Sequence, residues 1–398
     1  MKNILLLTDA YFPNSRATIA IVQRIAEGLA KRGNKVTVFT NKDGAENPIH
    51  HQGVDILYME NEYQKSNNIL NKIVSKIYDF WYARKYKMNY EYGILYKHSL
   101  SVKRIIKERN INCLISVSLP VTYHICARMA LSANDGVEWL PICFDPFAYS
   151  QEISLEEQRK RAKLEVQEFS KAQRVFILEE SKNDYEKSSI KEKFVFFNLP
   201  NVRNLMVSEK KIELFNENDI NCLFLGNLFF SVRNPEYLFN IFCKMKDARI
   251  KLFVIGGVYG DFPKDYFSKW ETLSDGTIKC FGRVDSQTAI DLINAADILV
   301  NIGNTTTNQC PSKILDYISS GKPILNVSKG SQCAALKYLK DYPLSYTVFE
   351  DSILEEDVHQ IEKFIIDAKG KKHIFSEIKE RFFRCTIAFL LDQIENIK

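Results

Sequence analysis

The chain of 398 residues lacks most of the features that announce a protein class outright. It has no Cys-x-x-Cys pair, and its nine cysteines (113, 126, 143, 222, 243, 280, 310, 333, 385) are odd in number and scattered. That excludes a disulfide-stapled scaffold. Cysteines within apolar runs such as NCLISV and NCLFL read as small buried hydrophobes of a reducing compartment. No stretch approaches the roughly 18 consecutive apolar residues that span a bilayer. Near the amino terminus, the run ILLL is cut by Thr8 and Asp9, well short of the roughly 7–15 apolar residues of a secretory signal. A cytoplasmic location is expected. There is no Asp-x-Asp pair, and the six histidines (50, 51, 98, 124, 359, 373) have no ligand spacing, so no metal is expected. Charge of one sign is scarce too. The 54 basic and 49 acidic side chains leave a net charge of +5, too small an excess for a chain-wide nucleic-acid surface, and no nucleic-acid partner is expected.

What is present is the balance of a soluble globular protein, 45% apolar and 26% charged. At roughly 100–200 residues per domain the length predicts two or three domains. Residues 3–8 (NILLLT) form a continuous apolar run, as in a parallel strand buried on both faces. Ile19, Val22, Ala26 and Leu29 follow at helical spacing, Gly33 stops the helix, and KVTVFT (35–40) is the next strand. Strands are predicted at 54–58, 112–118, 139–144, 174–178 and 193–198. A second series lies at 221–226, 250–257, 277–281, 297–303 and 322–327. The polar stretch 201–219 reads as the connection between the series, and the chain after 350 reads as helical. Alternation of this kind predicts an α/β class with helix-flanked parallel sheets, which bind ligands at the carboxyl ends of their strands.

The segment NQCPSKILDYISSGKPIL (308–325) carries the most chemistry. Pro311 suits the first turn of a helix, and Gly321 with Pro323 ends it. Free N–H groups at the helix start, the Ser312 hydroxyl and the Lys313 charge make an anion site suited to a diphosphate. Asp316 shares a face with Ser312 and Lys313, where its carboxylate is able to accept from a ribose diol. Acceptor-side candidates are Tyr11 and Arg16, in the loop after the first strand, and Asp145, after the strand WLPICF. Asp145 reads equally well as a turn aspartate before proline. His124, in the helix after Pro120, reads as a packed or solvated residue rather than a catalytic one. Between 64 and 110, eleven Lys or Arg face three acids and interleave with tyrosine, phenylalanine and tryptophan. That composition suits an anionic membrane surface, and equally a solvated helix face with aromatics packed beneath it.

Segment 308–325 resembles the donor-binding motif of glycosyltransferase family 4 (group 1), in which two glutamates eight positions apart bracket a helix start and a Gly-x-Pro turn follows. Here these positions fall on Asn308 and Asp316, and the glycine usual at the helix start is Pro311. LLLTDAYFPNSRA and LAKRGNKVTVFTN resemble the family's opening strand, acceptor loop and first helix. FLGNLFFSVRNPEYL (224–238) resembles the start of its second domain, with Asn227 in the loop and Arg233 where a basic residue grips the diphosphate. CFGRVDSQTAIDLINAADILVNIGN (280–304) resembles the stretch whose Gly-Arg-Val backbone, here Gly282, Arg283 and Val284, meets the nucleobase.

The resemblance implies a GT-B fold, two Rossmann-like βαβ domains facing each other across a cleft. An acceptor-binding domain is expected over 1–203, a nucleotide-sugar domain over 204–375, and a helix over 376–398 packing back on the first. It implies a retaining, metal-independent glycosyltransferase with a nucleotide-diphosphate-sugar donor as substrate and no cofactor. The acceptor would be a saccharide or a lipid-linked saccharide, in surface polysaccharide biosynthesis. Arg233, Lys313 and Asp145 are the expected catalytic side chains. Asn227, Gly282, Arg283, Asn308, Gln309, Ser312 and Asp316 are expected on the donor and Tyr11 and Arg16 on the acceptor. Two alternatives share the fold: a catalytically silent binding or scaffold partner, and a sugar-nucleotide epimerase.

Overall fold

The computed structural model describes residues 1–12, 17–42, 48–61, 69–86, 91–118, 121–131, 136–209, 212–351 and 354–397. The chain divides into two units, Met1–Pro200 with Ile387–Lys398, and Asn201–Thr386.

In the first unit, apolar runs and amphipathic segments alternate as β1 (Asn3–Leu7), α1 (Ala17–Lys31), β2 (Lys35–Thr40), β3 (His50–His51), β4 (Val54–Tyr58), α2 (Ile69–Tyr86), α3 (Tyr92–Glu108), β5 (Cys113–Ser118), α4 (Thr122–Ala130), β6 (Glu138–Cys143), α5 (Leu155–Glu168), β7 (Val175–Leu178) and β8 (Phe194–Phe197). The sheet order is β3-β4-β2-β1-β5-β6-β7-β8. Its pairings are parallel except for the antiparallel hairpin of β3 and β4. The ILLL run is buried on both faces because β1 lies between β2 and β5, with Ile4 opposite Val36 on one side and Cys113 on the other. Strand order reverses between β1 and β5, where an open sheet leaves a crevice at its carboxyl edge.

The second unit repeats the plan with β9 (Ile220–Leu225), β10 (Leu228–Phe229), α6 (Glu236–Lys244), β11 (Ile250–Ile255), β12 (Val258–Tyr259), α7 (Tyr266–Leu273), β13 (Ile278–Phe281), α8 (Ser286–Ala295), β14 (Ile298–Ile302), α9 (Lys313–Ser320), β15 (Ile324–Ser328), β16 (Ser345–Phe349), α10 (Leu354–Ala368) and α11 (Phe375–Arg381). All pairings of the main sheet are parallel, in the order β13-β11-β9-β14-β15-β16, which is the doubly wound Rossmann order with its reversal between β9 and β14. β10 and β12 form a separate parallel pair in the loops after β9 and β11. Across the core, Asn301 donates to Asn326 at 2.7 Å and Asn326 to Thr347 at 3.2 Å, so three in-register polar side chains satisfy one another. The strand β16 was not expected. SYTVF mixes polar and apolar residues because it lies at the edge of the sheet.

A last helix, α12 (Ile387–Glu395), belongs to the first unit. Leu391 lies over Gly28 of α1, where a Cβ would stand 2.6 Å from its Cδ1, and Arg32 pairs with Asp392 and Glu395, each at 2.8 Å. Expected and observed boundaries differ. Residues 376–386, expected with the returning helix, stay in the second unit because α11 packs on α9 and buries Ile378. Nor is 201–219 a free linker. The Arg203 N–H donates to the Ser319 hydroxyl at 3.2 Å, and the Ser208 N–H and O–H donate to the Asp291 carboxylate at 2.8 and 2.6 Å. Arg203 and Ser208 are laid along helix faces rather than left in water.

Candidate functional site

The start of α9 lies after the long loop that leaves β14 at the sheet reversal of the second unit. Pro311 is buried before the helix, and its carbonyl accepts from the Ile314 N–H at 3.1 Å. Ser312 occupies the N-cap with no side-chain cap bond. The N–H groups of this first turn and the helix dipole make the end of α9 locally positive. At the other end, Gly321 has φ +79, and a Cβ on it would stand 2.1 Å from the His373 carbonyl oxygen, so only glycine closes the helix there.

Asp316 does not present an open carboxylate to a diol. It is 5% exposed, and its Oδ1 accepts from Asn201 and from Arg203, both at 3.1 Å. Its Oδ2 accepts from Lys313 at 3.1 Å. Three donors occupy most of the lone-pair capacity of a carboxylate. Asp316 thus holds Lys313 and Arg203 in position, and Lys313 remains one-third exposed. Asn308 is also turned inward, 1% exposed, whereas its neighbour Gln309 is half-buried.

Arg233 does not point into bulk solvent. Its Nε and Nη2 donate to the Asn304 amide oxygen at 3.0 and 2.6 Å, and Nη1 donates to the Asn227 carbonyl at 3.1 Å. Asn304 in turn donates to the Gln309 carbonyl at 3.3 Å, and the Thr305 N–H donates to the Val232 carbonyl at 3.0 Å. The guanidinium is therefore bonded into the same loop that delivers α9. Burial lowers its pKa from the ordinary value, but an arginine stays charged near neutrality.

Asn227, Arg283 and Gly282 line the rim formed by the loops after β9, β11 and β13. The Asn227 side chain accepts from the Gly257 N–H at 3.2 Å. A Cβ on Gly257 would stand 2.6 Å from Arg283 Nε, so glycine lets that side chain cross the loop. The Arg283 guanidinium lies 5.1 Å from the centre of the Tyr259 ring, and Tyr259 stacks on Phe229 at 5.0 Å. Gly282, Arg283 and Val284 are exposed.

The first unit offers less on its acceptor-side candidates. Arg16 lies outside the described residues. Tyr11 is buried, and its hydroxyl has no partner among the described residues. Burial beside Glu27 pushes the Tyr11 hydroxyl well above its ordinary pKa. Asp145 is half-buried after β6, and burial, then Glu152, pushes its pKa up to about 7. His124 is fully buried, with Nδ1 2.8 Å from the Ser116 hydroxyl and Nε2 3.6 Å from Cys143 Sγ. Burial lowers its pKa to about 3, so it is a neutral packing residue, as expected.

No family model and no curated protein sequence matches the chain. Solved structures do. WaaG, a glycosyltransferase involved in lipopolysaccharide biosynthesis, matches with a TM-score of 0.59 at 15% identity, over 99% of this chain and 100% of that one. A glycosyltransferase from Rickettsia africae ESF-5 matches with a TM-score of 0.66 at 13% identity, over 100% and 97%. Anabaena Alr3699/HepE in complex with UDP matches with a TM-score of 0.64 at 14% identity, over 99% and 98%. The chain has the GT-B fold.

Within this GT-B chain, sequence reading missed Asn201, Arg203 and Asn304. The first two lie in what read as a linker, and nothing local marks Asn304 as the partner of an arginine 71 residues away. Among the described residues no group of three or more His, Cys, Asp or Glu side chains is arranged to hold a metal ion.

Proposed function

We propose that this chain is a retaining, metal-independent glycosyltransferase that moves a sugar from a nucleotide-diphosphate donor to a saccharide or lipid-linked acceptor in surface polysaccharide synthesis. The observation that carries the reading is Arg233, held by Asn304 and the Asn227 carbonyl in the loop that leads to Lys313 and the start of α9. As the bond from the sugar to the diphosphate breaks, negative charge grows on the leaving group. Preorganised cations and N–H groups lower that barrier. Arg233, Lys313 and the first-turn N–H groups of α9 supply them. The acceptor oxygen forms the new bond on the leaving-group side, and its proton passes to a donor phosphate oxygen. Gln309 and Ser312 bind the donor beside them, and the Gly282–Arg283 rim takes the base. HepE structures with UDP and with UDP-glucose support a nucleotide-sugar donor. Asp145 binds an acceptor hydroxyl in its ionised form. The chain works in the cytoplasm, and segment 64–110 meets an anionic membrane where a lipid-linked acceptor resides.

Calorimetric titration with UDP, GDP and ADP and their glucose conjugates tests the donor reading. Binding of one nucleotide that is weakened but still measurable in Arg233→Ala is expected, and no binding of any of them by the wild type overturns it. The inward-turned Asn308 and the occupied Asp316 favour one second reading, a silent GT-B partner. Nucleotide binding with neither transfer nor donor hydrolysis would establish that one.

A further inference from the structure

Helix α2 carries an outer face that is left exposed among the described residues. Its 18 residues make a rod about 27 Å long. The inner face packs on α3. Asp79 accepts from the Gly93 N–H at 2.7 Å, and Tyr78 stacks on Tyr96 at 4.4 Å and on Tyr82 at 5.2 Å. A Cβ on Gly93 would stand 2.3 Å from Ser75 Oγ, so the two helices touch at that glycine. The outer face is the reverse. Leu70, Ile73, Ile77, Phe80 and Trp81 are 48–73% exposed, and the spacing 70, 73, 77, 80/81 sets them in one stripe. Exposed Lys72, Lys76 and Arg84 flank it. The only acid in α2 is Asp79, which is tied to α3. A contiguous apolar stripe of this size in water marks an interaction surface.

We propose that this stripe is an in-plane docking face for an anionic lipid bilayer, with the five apolar side chains entering the headgroup boundary and the basic side chains reaching the lipid phosphates. The proposal rests on the reading that 64–110 meets a membrane, and it names the surface that does so. Phe80 and Trp81 are the ring types that settle at a membrane interface, and lysine stems lie along apolar surface while their charge reaches water. Charge selects the lipid over a second copy of this chain. Two copies packed symmetrically on this stripe would bring three exposed cations from each helix together with only Asp79, already bonded to the Gly93 N–H, as an acid on α2, whereas anionic phosphates neutralise the cations. No helix among the described residues is long and apolar enough to cross the bilayer, so α2 lies on it.

Co-sedimentation of the full chain with vesicles tests this, using equimolar phosphatidylcholine and phosphatidylglycerol against phosphatidylcholine alone. The wild type is expected to bind the mixed vesicles, with a blue shift of Trp81 emission, and to bind the neutral ones at least roughly tenfold more weakly. The variant Ile73→Ser/Ile77→Ser/Trp81→Ser removes three exposed apolar groups and is expected to bind roughly 100-fold more weakly or less. Lys72→Glu/Lys76→Glu is expected to lose roughly tenfold or more and most of the salt dependence. Unchanged circular dichroism and nucleotide affinity show that both variants are folded. If the wild type ignores mixed vesicles, this proposal and the membrane reading both fall. If it binds them and the serine variant binds equally, the stripe is wrong and the membrane reading stands. Equal binding to neutral vesicles overturns the anionic requirement. A wild-type dimer that the serine variant abolishes, without vesicle binding, assigns the face to a second copy instead.

Discussion

At the carboxyl ends of β9 and β14 the protein sets Arg233, Lys313 and Arg203 among amide, carbonyl and carboxylate partners. At the carboxyl ends of β1, β5 and β6 the described residues include Tyr11, Tyr123 in the first turn of α4, and Asp145, none of them cationic. Burial raises the pKa of all three, so each tends toward its neutral form. Nearby His98 is pushed down to about 4 by burial and is neutral as well. The strand orders around the two reversals are alike. Topology therefore makes the crevice, while the loops choose which charge it accepts. Among the described residues, the second unit gathers cations at its reversal, whereas the groups gathered in the first are held toward their neutral forms.

The sharpest way to break this contrast is to remove the central cation. Arg233→Ala should lower kcat about 10²–10³-fold, the usual loss for one preorganised electrostatic group, with Arg233→Lys recovering only part of it. A steady-state assay with saturating donor decides. A fall confined to KM would instead assign Arg233 to ground-state binding alone.

Next in size is the network beneath it. Asp316→Ala strands Arg203 and Lys313 near each other without their shared carboxylate. Both cations are about one-third exposed, so the expected destabilisation is about 2 kcal/mol rather than the 3–5 kcal/mol of a fully buried pair. Urea unfolding measures it, and Asp316→Asn should cost about half as much because an amide oxygen still accepts.

In the first unit, Asp145→Asn should lower kcat/KM for the acceptor about tenfold, the loss of one hydrogen bond to a charged group. With a pKa near 7, Asp145 takes up a proton as pH falls, so wild-type activity should drop below about pH 7. The asparagine variant should lack that limb of the profile. A limb that survives the substitution would remove Asp145 from the acceptor site.

The smallest effect is on stability alone. Burial pushes the Glu165 pKa up to about 8, although the carboxyl accepts from the Tyr185 O–H at 3.0 Å and the Ala148 N–H at 3.2 Å. The folded chain keeps a proton there that the unfolded chain has already released, so raising the pH across that window destabilises the fold. His98 and His124, buried and neutral, act in the opposite sense, but only below about pH 6.5, where the unfolded chain protonates them. Between about pH 6.5 and 8 the thermal midpoint should therefore fall as pH rises, with Asp145 adding to the slope up to about 7. Glu165→Gln keeps the two acceptor contacts and should flatten the slope.

Much of the fold was legible because its signals are local. Continuous apolar runs marked the inner strands of both sheets, and Pro311 and Gly321 framed α9 at Lys313–Ser320. The two-residue strands β10 and β12 and the edge strand β16 carry no such run. The site was legible only in part. Arg233 and Lys313 were marked by their place in a motif, but that Tyr11 and Asn308 turn inward depends on packing no short segment contains.

By itself the sequence determined the inner strands of both sheets and the ends of α1 and α9, since strand burial and helix capping are stereochemistry within a few residues. Tertiary structure alone decided that Asp316 faces Asn201 and Arg203, which are 115 and 113 residues away along the chain. It also decided that Asp145 titrates near neutrality and that the apolar stripe of α2 is left facing out. The physical reason is the same in each case. A charge or an apolar side chain acquires its free energy from whatever surrounds it, and those surroundings come from segments that meet only when the chain has folded.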